Sequence, residues 1–303
     1  MTKTLINIVG PTAIGKTALS IKIANLFKTE VLSADSRQFY EEMSIGTAVP
    51  EPEELAAAQH HFIQHRSITE DYNVGDFERE ALTKLDELFE KHNVVVMVGG
   101  SGLYTKAVVE GLDHFPEIDG NIRIKLNEEL SKHGLQSLQQ KLQKMDPEYY
   151  AVADIQNPHR LIRALEICIG TGKAFSSFLK KKKNARNFET ISIGLTAERE
   201  EIYDRINQRV DLMIENGLVE EARQLYPSRK YNALNTVGYK ELFTYFDDQW
   251  DFETAVGEIK KNTRRFAKRQ LTWFRKDETI TWFDRTTNFE LIAAHLQEKI
   301  NSL

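Results

Sequence analysis

Residues 5–17 read Leu-Ile-Asn-Ile-Val-Gly-Pro-Thr-Ala-Ile-Gly-Lys-Thr. The first five are nearly continuous in Leu, Ile and Val, the composition of a parallel strand covered on both faces. The next eight, Gly10, Pro11, Thr12, Ala13, Ile14, Gly15, Lys16 and Thr17, match G-x-x-x-x-G-K-[ST]. In that P-loop pattern the glycines let the backbone curl so that successive N–H groups face one centre. The N-terminus of the following helix adds partial positive charge, the lysine a full charge, and the threonine a hydroxyl for Mg²⁺. A chance glycine turn is the alternative, but the match lies directly between a strand-like and a helix-like stretch. All eight residues are therefore expected to bind a diphosphate or triphosphate, with Thr17 as the metal ligand.

Working outward, further strands are expected at 31–34, 94–98, 190–195 and 279–283. Helices are expected at 17–27 and 74–92, the latter with Phe77, Leu82, Leu85, Leu88 and Phe89 at helical spacing. Strand alternating with helix predicts an α/β class, a P-loop-like parallel sheet flanked by helices. The pattern breaks at about residue 114. From there to 188 the chain reads as helices only, at 122–133, 135–145 and 159–170, punctuated by Asp146-Pro147 and Asn157-Pro158. An all-helical insertion at 114–188 in a core of 1–113 and 189–303 follows. Residues 199–276 are again helical. A length of 303 residues is consistent with two domains at ~150 residues each.

Two strand ends bear on the ligand. Strand two runs into Ser33-Ala34-Asp35-Ser36-Arg37-Gln38. A carboxylate at the C-terminal end of a parallel strand shares a rim with the P-loop, although Asp35 could also be a simple turn acid. Strand three ends in Gly99-Gly100-Ser101-Gly102, where a P-loop NTPase often has an aspartate for Mg²⁺. Glycines and a hydroxyl supply no second strong metal ligand, which weakens an ATPase reading.

Forty Lys and Arg against forty-five Asp and Glu leave a net charge of −5, so attraction to nucleic acid must be local. Two stretches lack acids. Residues 167–188 hold Lys173, the lysines at 180–183 and Arg186. Residues 259–276 hold Lys260, Lys261, Arg264, Arg265, Lys268, Arg269, Arg275 and Lys276, interleaved with Phe266, Trp273 and Phe274. Lys260, Arg264 and Lys268 fall at i, i+4 and i+8, so a basic face toward RNA is expected, against the alternative of a solvated helix face. A single cysteine, Cys168, excludes an internal disulfide and a cysteine-rich zinc module. No apolar run reaches the ~20 residues of a membrane span. A soluble, cytoplasmic protein with no membrane contact is expected.

Seven pieces in order resemble one family: GPTAIGKT at 10–17, ADSRQ at 34–38, SIGTAVP at 44–50, GGSGLY at 99–104, NPHRLIRALE at 157–166, VGYKEL at 237–242 and RFAKRQLTWFR at 265–275. Together they resemble the tRNA dimethylallyltransferases, also called tRNA isopentenyltransferases. The resemblance implies transfer of a dimethylallyl group from dimethylallyl diphosphate to N6 of the adenine just 3′ of the anticodon, in tRNAs reading codons that begin with U. Diphosphate is the leaving group, Mg²⁺ the cofactor, and a monomer the expected state. Three catalytic residues are implied: Asp35 to accept the amine proton, Ser101, and Arg209 on the diphosphate. Arg209 alone would read as a surface helix arginine. Implied tRNA contacts are Asp35, Ser36, Arg37, Gln38, Ser101, Arg123, His159, Arg160, Leu161, Ile162 and Arg163. The chain departs from the family pattern at Ser101, usually threonine, and at His159, more often glutamine; the stretch after Asp35 varies in the family. His60 matches a family histidine, for which a structural role is expected. Two other readings stay open: an ATP-dependent kinase with Asp35 as base, and a non-catalytic RNA-binding protein.

Overall fold

The computed structural model describes residues 2–179 and 185–303. It divides into two compact units, residues Met1–Glu110 with Ala185–Leu303, and Gly111–Asn184.

The first unit contains β1 (Thr4–Val9), α1 (Lys16–Phe27), β2 (Val31–Ser33), α2 (Pro52–Ala57), β3 (His60–His61), α3 (Val74–Phe89), β4 (Val94–Gly99) and α4 (Gly102–Glu110). The second unit contributes α5 (Gly120–Met145), α6 (Pro147–Val152) and α7 (Pro158–Thr171). The first unit then resumes with β5 (Glu189–Thr196), α8 (Arg199–Glu215), α9 (Leu218–Leu225), α10 (Tyr239–Phe246), α11 (Phe252–Phe274), β6 (Thr281–Asp284) and α12 (Phe289–Asn301).

Among the described residues the sheet has the order β3-β2-β4-β1-β5-β6, and every pairing is parallel. All six residues of β1, and all six of β4, are buried. Successive side chains of a strand point to opposite faces. Leu5, Val95 and Met97 accordingly join Phe77, Ala81 and Leu85 of α3 on one face. Ile6, Ile8, Val96 and Ile193 join Leu19 and Ile23 of α1, Ile206 of α8 and Leu296 of α12 on the other. The expected parallel α/β sheet is therefore found, with one strand more than the sequence predicts. The addition is β3, whose two residues pair with Val31 and Leu32 and are too short to show any periodicity.

In the helical unit, α5 is two helices joined at Gly134, whose φ of 71° and ψ of −178° are not helical. The break separates the two helices expected at 122–133 and 135–145. Helix α7 opens on Asn157, whose side chain accepts from the N–H groups of His159 and Arg160, with Pro158 at the first helical position. Leu126, Leu138, Leu142, Leu161, Leu165 and Ile167 form this unit's own core.

The sequence predicts an insertion at 114–188, whereas the compact unit ends at Asn184. The reason is visible at Arg186 and Phe188. Arg186 donates to the carbonyls of Val108 (2.8 Å) and Ala107 (2.6 Å) at the end of α4, and pairs with Glu78 at 2.7 Å. Phe188 packs on Phe89 with ring centroids 5.6 Å apart. Arg186 therefore satisfies helix-end carbonyls and is no part of a basic RNA surface. The lysines at 180–183 lie outside the described residues.

Ile193 is fully buried in the central sheet. Ile193→Ala should cost about 2–5 kcal/mol in urea denaturation, whereas Val152→Ala, at 78% exposure, should stay within about 0.5 kcal/mol.

Candidate active site

The carboxyl ends of β1, β2 and β4 converge on one cavity of about 680 Å³ in the first unit. Ligands in open α/β sheets bind at this rim. Its walls include Lys16, Thr17, Asp35, Gln38, Gly99 and Arg209.

The loop after β1 curls as its sequence predicts. Gly10 has φ 146°, and a Cβ there would lie 2.7 Å from the carbonyl oxygen of Leu195. Ala13 adopts the left-handed region at φ 64°, and Gly15, at φ 105°, caps α1. The Lys16 ammonium donates to the Pro11 carbonyl at 2.7 Å. Burial pulls its pKa down to about 8; the negative charge of Asp35 opposes that shift and Arg209 adds to it. Arg209, from α8, lies with one guanidinium nitrogen 3.4 Å from the Thr12 hydroxyl, and burial lowers its pKa as well. Arg205, one turn earlier, donates to the Ala13 carbonyl at 2.8 Å. Two arginines of α8 thus reach the loop at 10–17.

Asp35 accepts the Arg37 N–H at 3.1 Å, and the Arg37 guanidinium is anchored on the Ala233 carbonyl at 3.1 Å. Gln38 donates to the Ala48 carbonyl at 2.7 Å. Ser101 accepts the Ser36 N–H at 3.1 Å, and the two serine hydroxyls are also 3.1 Å apart. Asp35, Ser36, Ser101, Lys16 and Arg209 are therefore brought together. The segment 44–50 lines the same cavity with Ile45, Ala48 and Val49, joined by Leu55, Ile63, Leu212 and Met213 as an apolar wall.

Several features went unread in the sequence. The Glu221 carboxylate accepts the N–H groups of Ser44, Ile45 and Gly46 at 3.0, 2.8 and 2.9 Å, and the buried Tyr239 hydroxyl at 2.6 Å. It ties the stretch SIGTAVP to VGYKEL. Gln270, in RFAKRQLTWFR, accepts the Thr12 N–H and donates to the Gly100 carbonyl, both at 2.9 Å. His60, expected to be structural, is a cavity-lining residue. Its Nδ1 lies 2.7 Å from the Ala58 carbonyl oxygen, its Nε2 is buried without a protein partner, and burial lowers its pKa.

In the helical unit Arg123 and Arg163 are half-exposed, and both pair with the buried Glu166. Burial pushes that carboxyl up, but the two arginines outweigh it and hold it below the ordinary carboxylate range. His159 and Arg160 are exposed at the start of α7. Leu161 and Ile162 are corrections: at 0% and 5% exposure they are core residues, and their side chains face no solvent.

The face of Lys260, Arg264 and Lys268 on α11 is a further correction. Lys260 pairs with Asp211 of α8, and Arg264 donates to Asn207 of α8 at 2.6 Å. That face is largely a helix–helix contact. In residues 259–276 the solvent-exposed residues are Arg265, Phe266, Lys268, Arg269, Thr272, Trp273, Arg275 and Lys276.

The family model described as IPP transferase matches residues 38–277. The chain is 66% identical over 302 residues to the tRNA dimethylallyltransferase of Christiangramia forsetii, covering all of both chains. It is 56% identical to the tRNA dimethylallyltransferase of Flavobacterium johnsoniae, covering 99% of each. The chain belongs to the IPP transferase family. Among solved IPP transferase structures, the full-length tRNA isopentenylpyrophosphate transferase of Bacillus halodurans matches with a TM-score of 0.73 and 38% identity, over 99% of this chain and 96% of that one. A eukaryotic dimethylallyltransferase acting on tRNA matches with a TM-score of 0.81 and 26% identity, over 99% of this chain and 80% of that one.

In this IPP transferase, the lowered pKa of Lys16 predicts a pH dependence for the binding of a diphosphate to the loop at 10–17. A bound diphosphate favours the ammonium, so above about pH 8 binding must take up a proton. Affinity for an alkyl diphosphate should hold from pH 6.5 to 7.5, then fall above about 8, approaching about tenfold per pH unit. Lys16→Ala should bind weakly and remove the slope. Calorimetry across pH measures both, and a flat wild-type profile would contradict the assignment.

Proposed function

We propose that this chain transfers a dimethylallyl group from dimethylallyl diphosphate to N6 of the adenine 3′-adjacent to the anticodon, in tRNAs reading codons that begin with U. We propose further that it acts as a cytoplasmic monomer. The observation that carries this reading is one cavity holding Lys16 and Arg209 with the carboxylate of Asp35, walled by aliphatic side chains, at the end of a β4 that runs into Gly100-Ser101 instead of an acid.

The residues divide the reaction between them. The curled loop at 10–17, Lys16 and Arg209 hold the diphosphate. Ile45, Val49, Leu212 and Met213 offer apolar surface to a five-carbon chain. An exocyclic adenine amine is a poor nucleophile because its lone pair is delocalised into the ring. Asp35 accepts a hydrogen bond from that amine and returns electron density to it. The nitrogen forms a bond to C1 of the dimethylallyl group, and the C1–O bond breaks with its electron pair leaving on the diphosphate. Asp35 takes the proton. Lys16 and Arg209, half-buried in the cavity wall, act on the charge that develops on the leaving group. The Ser101 hydroxyl, bonded to Ser36, fixes the loop that carries Asp35.

A Mg²⁺ ion fits this donor set. Among the described residues no cluster of three His, Cys, Asp or Glu forms a protein cage, while Thr17 lines the cavity beside Lys16. Mg²⁺ keeps several waters and binds through phosphates with few protein ligands. Thr17 would hold it, and when bound it would neutralise charge on the diphosphate oxygens.

The nucleic acid must be gripped locally, since the chain carries a net charge of −5. Arg265, Lys268 and Arg269 with Phe266 and Trp273 on α11, and Arg275 and Lys276 just beyond its end, offer cations and stacking surfaces. Arg123, His159, Arg160 and Arg163 offer a polar, basic face on the helical unit. Extruding a base costs a few kcal/mol, which contacts to its neighbours must offset. Among the described residues no helix is long and apolar enough to cross a membrane.

Incubating the protein with dimethylallyl diphosphate and tRNA should add the mass of one dimethylallyl group to a single adenosine, read by mass spectrometry of nuclease digests. An unmodified tRNA would overturn the proposal. Asp35→Asn, which keeps shape and removes charge, should lower kcat by roughly 10²–10⁴ with little change in diphosphate affinity. A kcat within twofold of wild type would reduce Asp35 to a positioning role. Neutralising Lys268 and Arg269 together should weaken tRNA binding and reduce the log–log salt slope by nearly one unit for each phosphate no longer neutralised. An unchanged slope would remove this stripe from the interface.

A further inference from the structure

Gln270 projects from α11 between the loop after β1 and the loop after β4 and is only 6% exposed. Its amide orientation is forced by its partners. Thr12 presents an N–H, which can only donate, so Oε1 must face it; Gly100 presents a carbonyl, which can only accept, so Nε2 must face it. Both bonds are 2.9 Å long. The space is reserved for this amide, because a Cβ on Gly100 would stand 2.3 Å from Nε2.

The two loops joined in this way have different tasks under the function proposed above, and the inference rests on that reading. Thr12 belongs to the loop that holds the leaving group, and its hydroxyl lies 3.4 Å from an Arg209 nitrogen. Gly100 precedes Ser101, which accepts the N–H of Ser36, the residue after Asp35. A continuous path of bonds therefore runs from Thr12 through Gln270, Gly100, Ser101 and Ser36 to Asp35. We infer that Gln270 is a positioning residue, whose amide sets the spacing between the loop that holds the departing diphosphate and the loop that presents the proton acceptor. It touches neither reacting group. In-line transfer depends on that spacing, and a misplacement of about 1 Å can cost 10²-fold in rate. The Thr12 N–H is occupied by Gln270, so the residue also fixes where the anion cradle begins.

Two variants separate positioning from mere folding. Gln270→Glu keeps size and the acceptor for Thr12 but removes the donor to Gly100 and places a carboxylate against its carbonyl. Gln270→Met keeps volume and removes both bonds. In each, kcat for transfer should fall about 10–100-fold while the KM for dimethylallyl diphosphate moves less than threefold, with melting curves showing folded protein at the assay temperature. Because the effect passes through Gly100 to Ser101, combining Gln270→Glu with Ser101→Ala should cost little more than the worse single change. Wild-type kcat in either folded variant, equal changes in kcat and KM, or multiplicative losses in the double variant would each overturn the inference. A wild-type protein that transfers nothing would instead overturn the proposed function, so the two failures are distinguishable.

Discussion

The double-sided burial of β1 is the constraint on which the site depends. Its six side chains are enclosed between two helical layers, and it pairs with β4 on one edge and β5 on the other. A strand held so firmly delivers Gly10 to a fixed point, where the Leu195 carbonyl of the neighbouring β5 leaves no room for a side chain. The chain must then reverse into α1 within a few residues, which it does through left-handed conformations at Ala13 and Gly15. Parallel pairing places the ends of β2 and β4 on the same rim, so the proposed proton acceptor and the glycine loop lie on the side of the sheet where the loop after β1 curls.

Concentrating charge there is costly, and the surrounding structure offsets the cost. Lys16 and Arg209 are both half-buried, and burial lowers the pKa of each. Arg209 further lowers the pKa of Lys16, Arg205 lowers that of Arg209, and Asp35 opposes both shifts. An anion that enters between these cations relieves their repulsion. The loop at 44–46 is stabilised in turn by a single carboxylate, Glu221, that satisfies three consecutive backbone N–H groups and a buried tyrosine. Hydrogen bonds to a charged acceptor are among the stronger ones, at roughly 1.5–3 kcal/mol each. A wall of the cavity therefore depends on a residue that never faces the substrate.

Much of this was legible in the sequence where the signal is local. The curl at 10–17 follows from glycine spacing, the two-sided strands from unbroken Val and Ile, and the helical insertion from the loss of strand-like runs after residue 113. What escaped was non-local. Glu221 lies about 175 residues from the N–H groups it holds, and Gln270 about 170 from Gly100. Neither has a periodicity or a motif that announces its partner. Charge was misread for the same reason: Arg186 caps a helix, and Lys260 and Arg264 pack on α8, although one-dimensional spacing gave each a basic surface. Leu161 and Ile162 entered the RNA-binding set through a motif, against their apolar chemistry, and burial corrected that. The strand at His60 and His61 is set by its pairing with β2, which two residues of sequence cannot disclose.

The central claim is that this P-loop holds a prenyl diphosphate and not a nucleotide. Isothermal titration of the wild-type protein with dimethylallyl diphosphate and, separately, with ATP, each in the presence of Mg²⁺, tests it most directly. The account predicts one dimethylallyl diphosphate bound per chain, with ATP weaker by at least about tenfold. Tighter binding of ATP would contradict it and return the site to the phosphotransferases.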